Sequence, residues 1–155
     1  MTSRLAAGAW AALMTVVAGC ADDASINATT VLDYNRCEGL DSGLTLVDYR
    51  AVAAIRGGKL LGITEPEQSE PQGDLVLVAI SRGQQPTPGY GFALEGAQRQ
   101  DGAAVLSVRW ESPEAGATLA QVTTHPCLVV GVPREGLDRI EAVDQDGTSL
   151  GTLDL

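Results

Sequence analysis

The stretch DLVLVAISRGQQPTPGYGFAL, residues 74–94, decides the predicted fold. It opens with a continuous apolar run at residues 75–80, which has the length and composition of a β-strand covered on both faces. A segment rich in glycine and proline ends this strand. A second segment with looser alternation follows at residues 90–98. The order of strand, shaped loop and strand predicts a domain built on a β-sheet.

The β pattern continues through residues 101–155. Residues 105–110 alternate, with Leu106, Val108 and Trp110 expected on one face, and Asp101-Gly102 is typical of the hairpin turn before them. Further strands are predicted at 127–132, 139–143 and 150–155, the last after a turn at Asp146-Gly147.

The N-terminal side adds less regular signals. Residues 30–34 and 44–47 favour short strands. Asp48 is a candidate cap for a helix that would end near Arg56, although strand alternation also fits this region. Residues 61–72 predict an exposed loop. The fold class is therefore α+β: a mostly antiparallel, sandwich-like β-sheet domain with one or two short helices.

The first residues, MTSRLAAGAWAALMTVVAGC, have the features of an export signal. Arg4 is followed by a largely apolar run at 5–18, which is shorter than the roughly 20 residues that a membrane-spanning helix needs. The run ends in small residues before Cys20, and this pattern resembles the lipobox of bacterial lipoproteins. An ordinary cleaved signal with an incidental cysteine is the alternative.

The lipobox resemblance implies a division of the sequence. Residues 1–19 would be a lipoprotein signal peptide, and residues 20–30 would be the lipidated, palmitate-bearing Cys20 with a flexible tether. Residues 31–155 would form one globular domain, of which 74–155 is the β-rich part. Ala21 next to the cysteine favours the outer membrane, facing the periplasm of a bacterial cell envelope. The lipid would be the sole membrane attachment.

The charge and the cysteine content indicate which partners and which covalent links to expect. The protein has 10 Lys and Arg against 20 Asp and Glu, a formal net charge of -10. Such a charge repels phosphate backbones and argues against nucleic-acid binding, whereas it would attract a basic partner. In an exported protein, the even pair Cys37 and Cys127 predicts a disulfide, with two separate buried thiols as the alternative.

Residues for catalysis are scarce. His125 is the single histidine and precedes a proline, and the sequence has no nucleophile elbow or phosphate-binding glycine loop. His125, Cys37 and Cys127 lack a fourth zinc ligand at a recognisable spacing. We therefore expect no enzyme activity, no metal and no cofactor.

Residues 83–126 carry a family resemblance. Gly83 with Pro86-Thr87-x-Gly89-Tyr90, then Glu111-Ser-Pro113 and Thr124-His-Pro126, is similar to the C-terminal domain of the PrcB family. The sequence departs from that pattern at Pro88, where glycine is usual, and at His125, where an aromatic is usual. The resemblance implies a non-enzymatic lipoprotein that binds or supports a partner protein, which in that family is a protease in a surface complex.

The candidate contact segment is the 83–90 loop, which runs from Gly83 to Tyr90. Its prolines reduce the entropy lost on binding, and Tyr90 suits either an interface or the core. Phe92 is predicted to be core. The predicted partner-binding residues are Gln84, Gln85, Pro86, Thr87, Pro88, Gly89 and Tyr90, with Gln84–Pro88 forming the loop tip.

Two other functions fit the sequence. The Pro-Thr-x-Gly-Tyr pattern also resembles one of the three contact loops of chagasin-like cysteine-protease inhibitors, which suggests a periplasmic inhibitor. A purely structural envelope lipoprotein is the third possibility.

Cys20 provides the first testable prediction. Cells producing the protein should incorporate labelled palmitate into it, and globomycin should block its processing, because diacylglyceryl transfer to the Cys20 sulfur precedes cleavage. A Cys20→Ser variant should incorporate no label. Equal labelling of the variant would show that Cys20 is not the acylated residue.

Overall fold

A computed structural model describes residues 24–56 and 74–155 of the protein. The predicted signal peptide, Cys20 and the predicted loop at 61–72 lie outside these residues. Within the described ranges there are one helix, α1, and nine strands: β1 Ala24–Ser25, β2 Thr29–Tyr34, β3 Gly43–Val47, α1 Tyr49–Ile55, β4 Leu75–Ser81, β5 Gly91–Gln100, β6 Ala103–Glu111, β7 Cys127–Pro133, β8 Arg139–Val143 and β9 Ser149–Asp154. No helix in this part of the protein is both long and apolar enough to span a membrane.

The strands form two sheets that pack face to face. One sheet has the order β1-β5-β6-β8-β9 and the other the order β2-β7-β4-β3. All pairs are antiparallel except β6 with β8, which are parallel. The predicted β-rich, mostly antiparallel sandwich is confirmed, and the helical contribution is one short helix.

The central pair of the second sheet is β4 with β7, in register from Leu75 opposite Pro133 to Ser81 opposite Cys127. Alternate side chains of β4 point to opposite faces, as the pleat of a strand requires. Val76, Val78 and Ile80 belong to the core between the sheets, which also contains residues of β5, β6 and β8. Leu77 and Ala79 belong to a second cluster on the outer face. The prediction that 75–80 is covered on both faces is therefore confirmed.

Helix α1 covers part of this outer face. Asp48 has extended backbone angles, and its Oδ1 accepts a hydrogen bond of 2.7 Å from the backbone N–H of Ala51. This is an N-cap, and it resolves the ambiguity of the region in favour of the predicted helix. Val52 is buried against the outer cluster that contains Leu77.

The β5–β6 hairpin turns where predicted. Asp101 and Gly102 have φ of 47° and 77°. Positive φ at both central residues is the requirement of a type I′ turn, which Asp-Gly satisfies with little strain. Leu106 and Val108 are fully buried on the predicted face, and Trp110 packs on the edge of the same core.

Residues 24–30 are more structured than the predicted tether at 20–30. Ala24 and Ser25 pair with Arg99 and Gln98 of β5, and the N–H of Ile26 donates to the carbonyl of Ala97 at 3.0 Å. This pairing could not be predicted, because the segment consists mostly of small or polar residues without alternation. Its hydrogen-bond partners lie on β5, which is distant in the sequence.

The predicted disulfide between Cys37 and Cys127 is present. The two Cα atoms are 6.0 Å apart, and both residues are completely buried. The bond joins the turn after β2 to the first residue of β7, next to the β2 pairing of Tyr34 with Cys127. It therefore links the end of β2 covalently to β7, a central strand of the same sheet.

Removing this disulfide should lower the free energy of unfolding. For a sequence separation of 90 residues, a Cys37→Ala/Cys127→Ala variant should lose about 2–4 kcal/mol, since the unfolded polypeptide regains loop entropy. Urea denaturation under oxidising conditions measures the loss. As a control, excess reductant should destabilise the wild type but leave the variant unchanged. Equal midpoints for both oxidised proteins would contradict the prediction.

Candidate protein-binding site

The 83–90 loop connects β4 to β5 at one end of the sandwich. Gln84, Pro86 and Gly89 are exposed, whereas Gln85 and Thr87 are half-buried. The loop tip, Gln84–Pro88, therefore presents alternate residues outward and uses those between them to hold its shape. The predicted outward-facing tip is present, although contact with a partner stays a prediction.

A buried threonine holds the loop from beneath. The N–H of Gln85 donates to the carbonyl of Thr124 at 2.8 Å, and the N–H of Thr124 donates to the carbonyl of Gln85 at 3.0 Å. The Oγ1 of Thr124 donates to the carbonyl of Thr87, also at 3.0 Å. These bonds satisfy the inner backbone groups of the loop and leave the outer side chains free.

Two glycines set the course of the loop. Gly83 and Gly89 have φ of 71° and 96°, a region that other residues rarely adopt. At Gly89 space is also restricted, since a Cβ there would lie 3.1 Å from the Cγ of Pro113. The glycine therefore allows the 83–90 loop to touch the loop that follows β6.

An aromatic group joins the loop to the sheet. The Tyr90 ring stacks on Trp110 with centroids 5.6 Å apart, and Phe92 meets the same indole edge-on at 4.8 Å. Phe92 is buried, as predicted, and Tyr90 is half-buried. The guanidinium carbon of Arg82 lies 4.7 Å from the Trp110 ring centroid, a cation–π distance.

Asp144 fixes the position of Arg82. Its Oδ2 lies 2.8 Å from Arg82 Nη2, and its Oδ1 accepts from the N–H groups of Thr148 and Asp146. The Thr148 bond is the main cause that lowers the pKa of Asp144 below its ordinary value, helped by Asp146 and Arg82 and opposed by burial. This carboxylate thus links the β8–β9 turn to the base of the 83–90 loop.

A groove opens beside the loop, between β2 and the start of β5. Its volume is about 520 Å³. We call it the acidic groove, and its lining residues are Asp33, Tyr34, Asn35, Gly89, Tyr90, Gly91 and Glu111. The pKa of Asp33 is raised, first by partial burial and then by the charge of Glu111. Arg109 bridges Glu111 and Glu95 at 3.0 and 3.1 Å.

The predicted site residues of the described part of the protein are the 83–90 loop and the disulfide pair. The structure brings Gly89 and Tyr90 of the loop together with Asp33 and Glu111, which sequence reasoning missed. Asp33 comes from a strand far away in the sequence, and a lone acid in a short strand carries no signal of its own. Cys37 and Cys127 lie at the same end of the sandwich, since Cys127 is opposite Ser81, the last residue of β4.

The fold and this site define the protein as a β-sandwich with a hydrogen-bonded loop at one end. Residues 76–133 match the family described as PrcB C-terminal. The match runs from β4 to the end of β7 and includes the whole 83–90 loop. The protein therefore contains a PrcB-family domain. No curated protein matches the sequence, and no solved structure does.

Asp144 should make stability depend on pH. Because its folded-state pKa is lowered, its carboxylate contributes stability above the unfolded-state pKa of about 3.9 and loses this contribution as the pH falls through the folded-state pKa. The wild type should therefore exceed Asp144→Asn in unfolding free energy near neutral pH, with a difference that shrinks in acid. Urea titrations across this range measure it.

The exposed neighbour Asp146 offers the matched control for this experiment. An Asp146→Asn variant keeps the backbone N–H that donates to Asp144, so it should follow the wild-type profile. A difference between wild type and Asp144→Asn that stays constant down to strongly acid pH would contradict the assignment.

Proposed function

We propose that this protein is a membrane-tethered, non-enzymatic binding subunit that holds a partner protein through the 83–90 loop. The PrcB family suggests the role of an accessory subunit in a protease complex. The observation that carries the proposal is the loop tip, which is exposed at Gln84 and Pro86 while its backbone forms hydrogen bonds with Thr124.

The rigidity of the tip supports a binding role because association costs conformational entropy. Binding usually costs about 0.5–1.5 kcal/mol for each flexible side chain that becomes fixed, and ordering a loop adds to this. Here Pro86 and Pro88 restrict the backbone, and the bonds from Thr124 restrain it further. A partner would therefore meet a loop whose backbone has already lost part of its conformational entropy, whereas exposed side chains such as that of Gln84 would still lose theirs on binding.

The absence of a catalytic role is part of the proposal. Cys37 and Cys127 are joined in the disulfide and offer no thiolate. The backbone N–H of His125 donates to Asn35, and its carbonyl accepts from Cys37, which places His125 beside the disulfide. Within the described residues, no group of three or more His, Cys, Asp and Glu side chains is placed to hold a metal.

The proposed location is the bacterial cell envelope, with Cys20 as the lipid attachment and the outer membrane facing the periplasm as the site. A lipid anchor would confine the subunit near the membrane and raise its effective concentration towards a partner there. The alternative of a chagasin-like inhibitor has less support, since Tyr90 stacks on Trp110 instead of standing at the tip.

Replacing the loop tip tests the proposal. The full-length protein with residues 84–88 changed to Gly-Ser-Gly-Ser-Gly should no longer capture its partner from envelope extract, because the stiffened contact surface is gone. Mass spectrometry identifies the captured protein, and a binding assay with that protein in purified form compares the two versions. The unfolding free energy should fall by about 1–3 kcal/mol, because the loss of two prolines frees the unfolded backbone and half-buried side chains are shortened. The variant should still fold, since the backbone bonds between residue 85 and Thr124 can form.

The control is a surface change at the opposite end of β7. Arg134 and Glu135 are exposed there, beyond Pro133, which pairs with the first residue of β4. An Arg134→Ser/Glu135→Ser variant should capture as the wild type does. Unchanged capture by the tip variant would refute the role of the loop, and equal loss of capture and folding would assign the tip to stability.

A further inference from the structure

The acidic groove lies where the two sheets diverge. β2 is the outermost strand of its sheet and pairs with β7 only. On β5, strand β1 pairs with Gln98 and Arg99, far from Gly91 at the other end. Within residues 24–56 and 74–155, no strand therefore fills the space between the ends of β2 and β5, and the groove occupies it.

Negative charge in the groove is incompletely neutralised. Among the described residues, Asp33 forms no ion pair. Glu111 uses Oε1 for Arg109, whereas its Oε2 lies 3.7 Å from the position that a Cβ on Gly91 would occupy, at the groove wall. Two carboxylates from different sheets thus contribute to one opening.

The carboxylates of Asp33 and Glu111 repel each other. The raised pKa of Asp33 is due partly to the charge of Glu111, after burial. Two like charges that share a site favour any arrangement that places a cation between them. The charges of Asp33 and Glu111 would together attract a positively charged group into this opening, whereas burial opposes the ionised form of Asp33.

The wall formed by Tyr90 adds selectivity. Because Trp110 covers one face of the Tyr90 ring, the ring is held in place as part of the groove. A planar guanidinium stacks on aromatic rings and donates hydrogen bonds to carboxylates on more than one side, whereas an ammonium acts as a compact point charge. The combination of tyrosine and two carboxylates favours arginine over lysine.

We propose that the acidic groove receives an arginine side chain of the partner protein, next to the main contact at the loop tip. This inference rests on the proposed function, since Gly89 and Tyr90 belong both to the 83–90 loop and to the groove. A partner seated on the tip would have the groove directly beside it. The net charge of -10 would attract such a basic segment from a distance.

Small peptides test the groove without the natural partner. The full-length protein, ¹⁵N-labelled and in detergent micelles, is titrated at low salt with acetyl-Gly-Arg-Gly-amide. The same titration is made with peptides that carry neutral citrulline or lysine in place of arginine. The arginine peptide should shift the amide signals of residues 33–35 and 89–91. Its Kd should be about tenfold lower than that of the citrulline peptide, the sum expected from two exposed ion pairs and one cation–π contact.

Matched variants separate the groove from general acidity. Asp33→Asn/Glu111→Gln should remove most of the preference for arginine over citrulline while keeping the shape of the groove, and the cation–π contact with Tyr90 would account for the remainder. Asp146→Asn/Asp154→Asn removes two exposed charges elsewhere and should keep the preference. A near-native spectrum of each free variant shows that it folds.

Three results would overturn the inference. The first is equal affinity for the arginine and citrulline peptides, and the second is signal shifts confined to residues outside the groove. The third is a lysine peptide that binds as tightly as the arginine peptide, which would remove the assignment to arginine. If the groove fails this test but the loop tip still captures a partner, the proposed function stands alone. If the groove binds arginine but capture does not depend on the loop tip, the groove is a cation-binding site and the proposed function of the tip is wrong.

Discussion

The pairing of β4 with β7 is the constraint on which the rest of the structure depends. These two strands are in register over their whole length and are covered on both faces, so their side chains build the core between the sheets and the outer cluster under α1. Their register also sets the site. It places Ser81, at the end of β4 and just before the 83–90 loop, opposite Cys127, and the segment just before Cys127 contains Thr124, which holds that loop.

Polar and aromatic contacts connect the 83–90 loop to the neighbouring strands and turns. Asp144 holds Arg82, Arg82 lies over Trp110, and Trp110 supports Tyr90. The first contact joins the turn after β8 to the segment between β4 and β5, and the other two join that segment to β6. The 83–90 loop is thus an exposed surface with a well-packed base.

Much of the fold could be predicted because its signals are local. The apolar run of β4, the cap at Asp48 and the turn at Asp101-Gly102 each depend on a few neighbouring residues. The acidic groove could not be predicted, since Asp33 and Glu111 meet only through the arrangement of two sheets. The same holds for Arg82 with Asp144, which are 62 residues apart in the sequence. Strand structure in residues 24–30 could not be predicted for a related reason, because the hydrogen-bond partners of these residues are distant in the sequence.

The position of the disulfide has a mechanical consequence. Force applied at the N-terminal end of the described residues acts first on the two residue pairs of β1 with β5. It then acts on β2, whose antiparallel pairing with β7 opens one residue pair after another from Thr29 towards Tyr34. The rupture then stops at Cys37, where the covalent link to Cys127 carries the load directly into the middle of the sheet. Tension would therefore detach β2, which contains Asp33, while the rest of the fold stays intact. The acidic groove would lose its β2 wall before the protein unfolds.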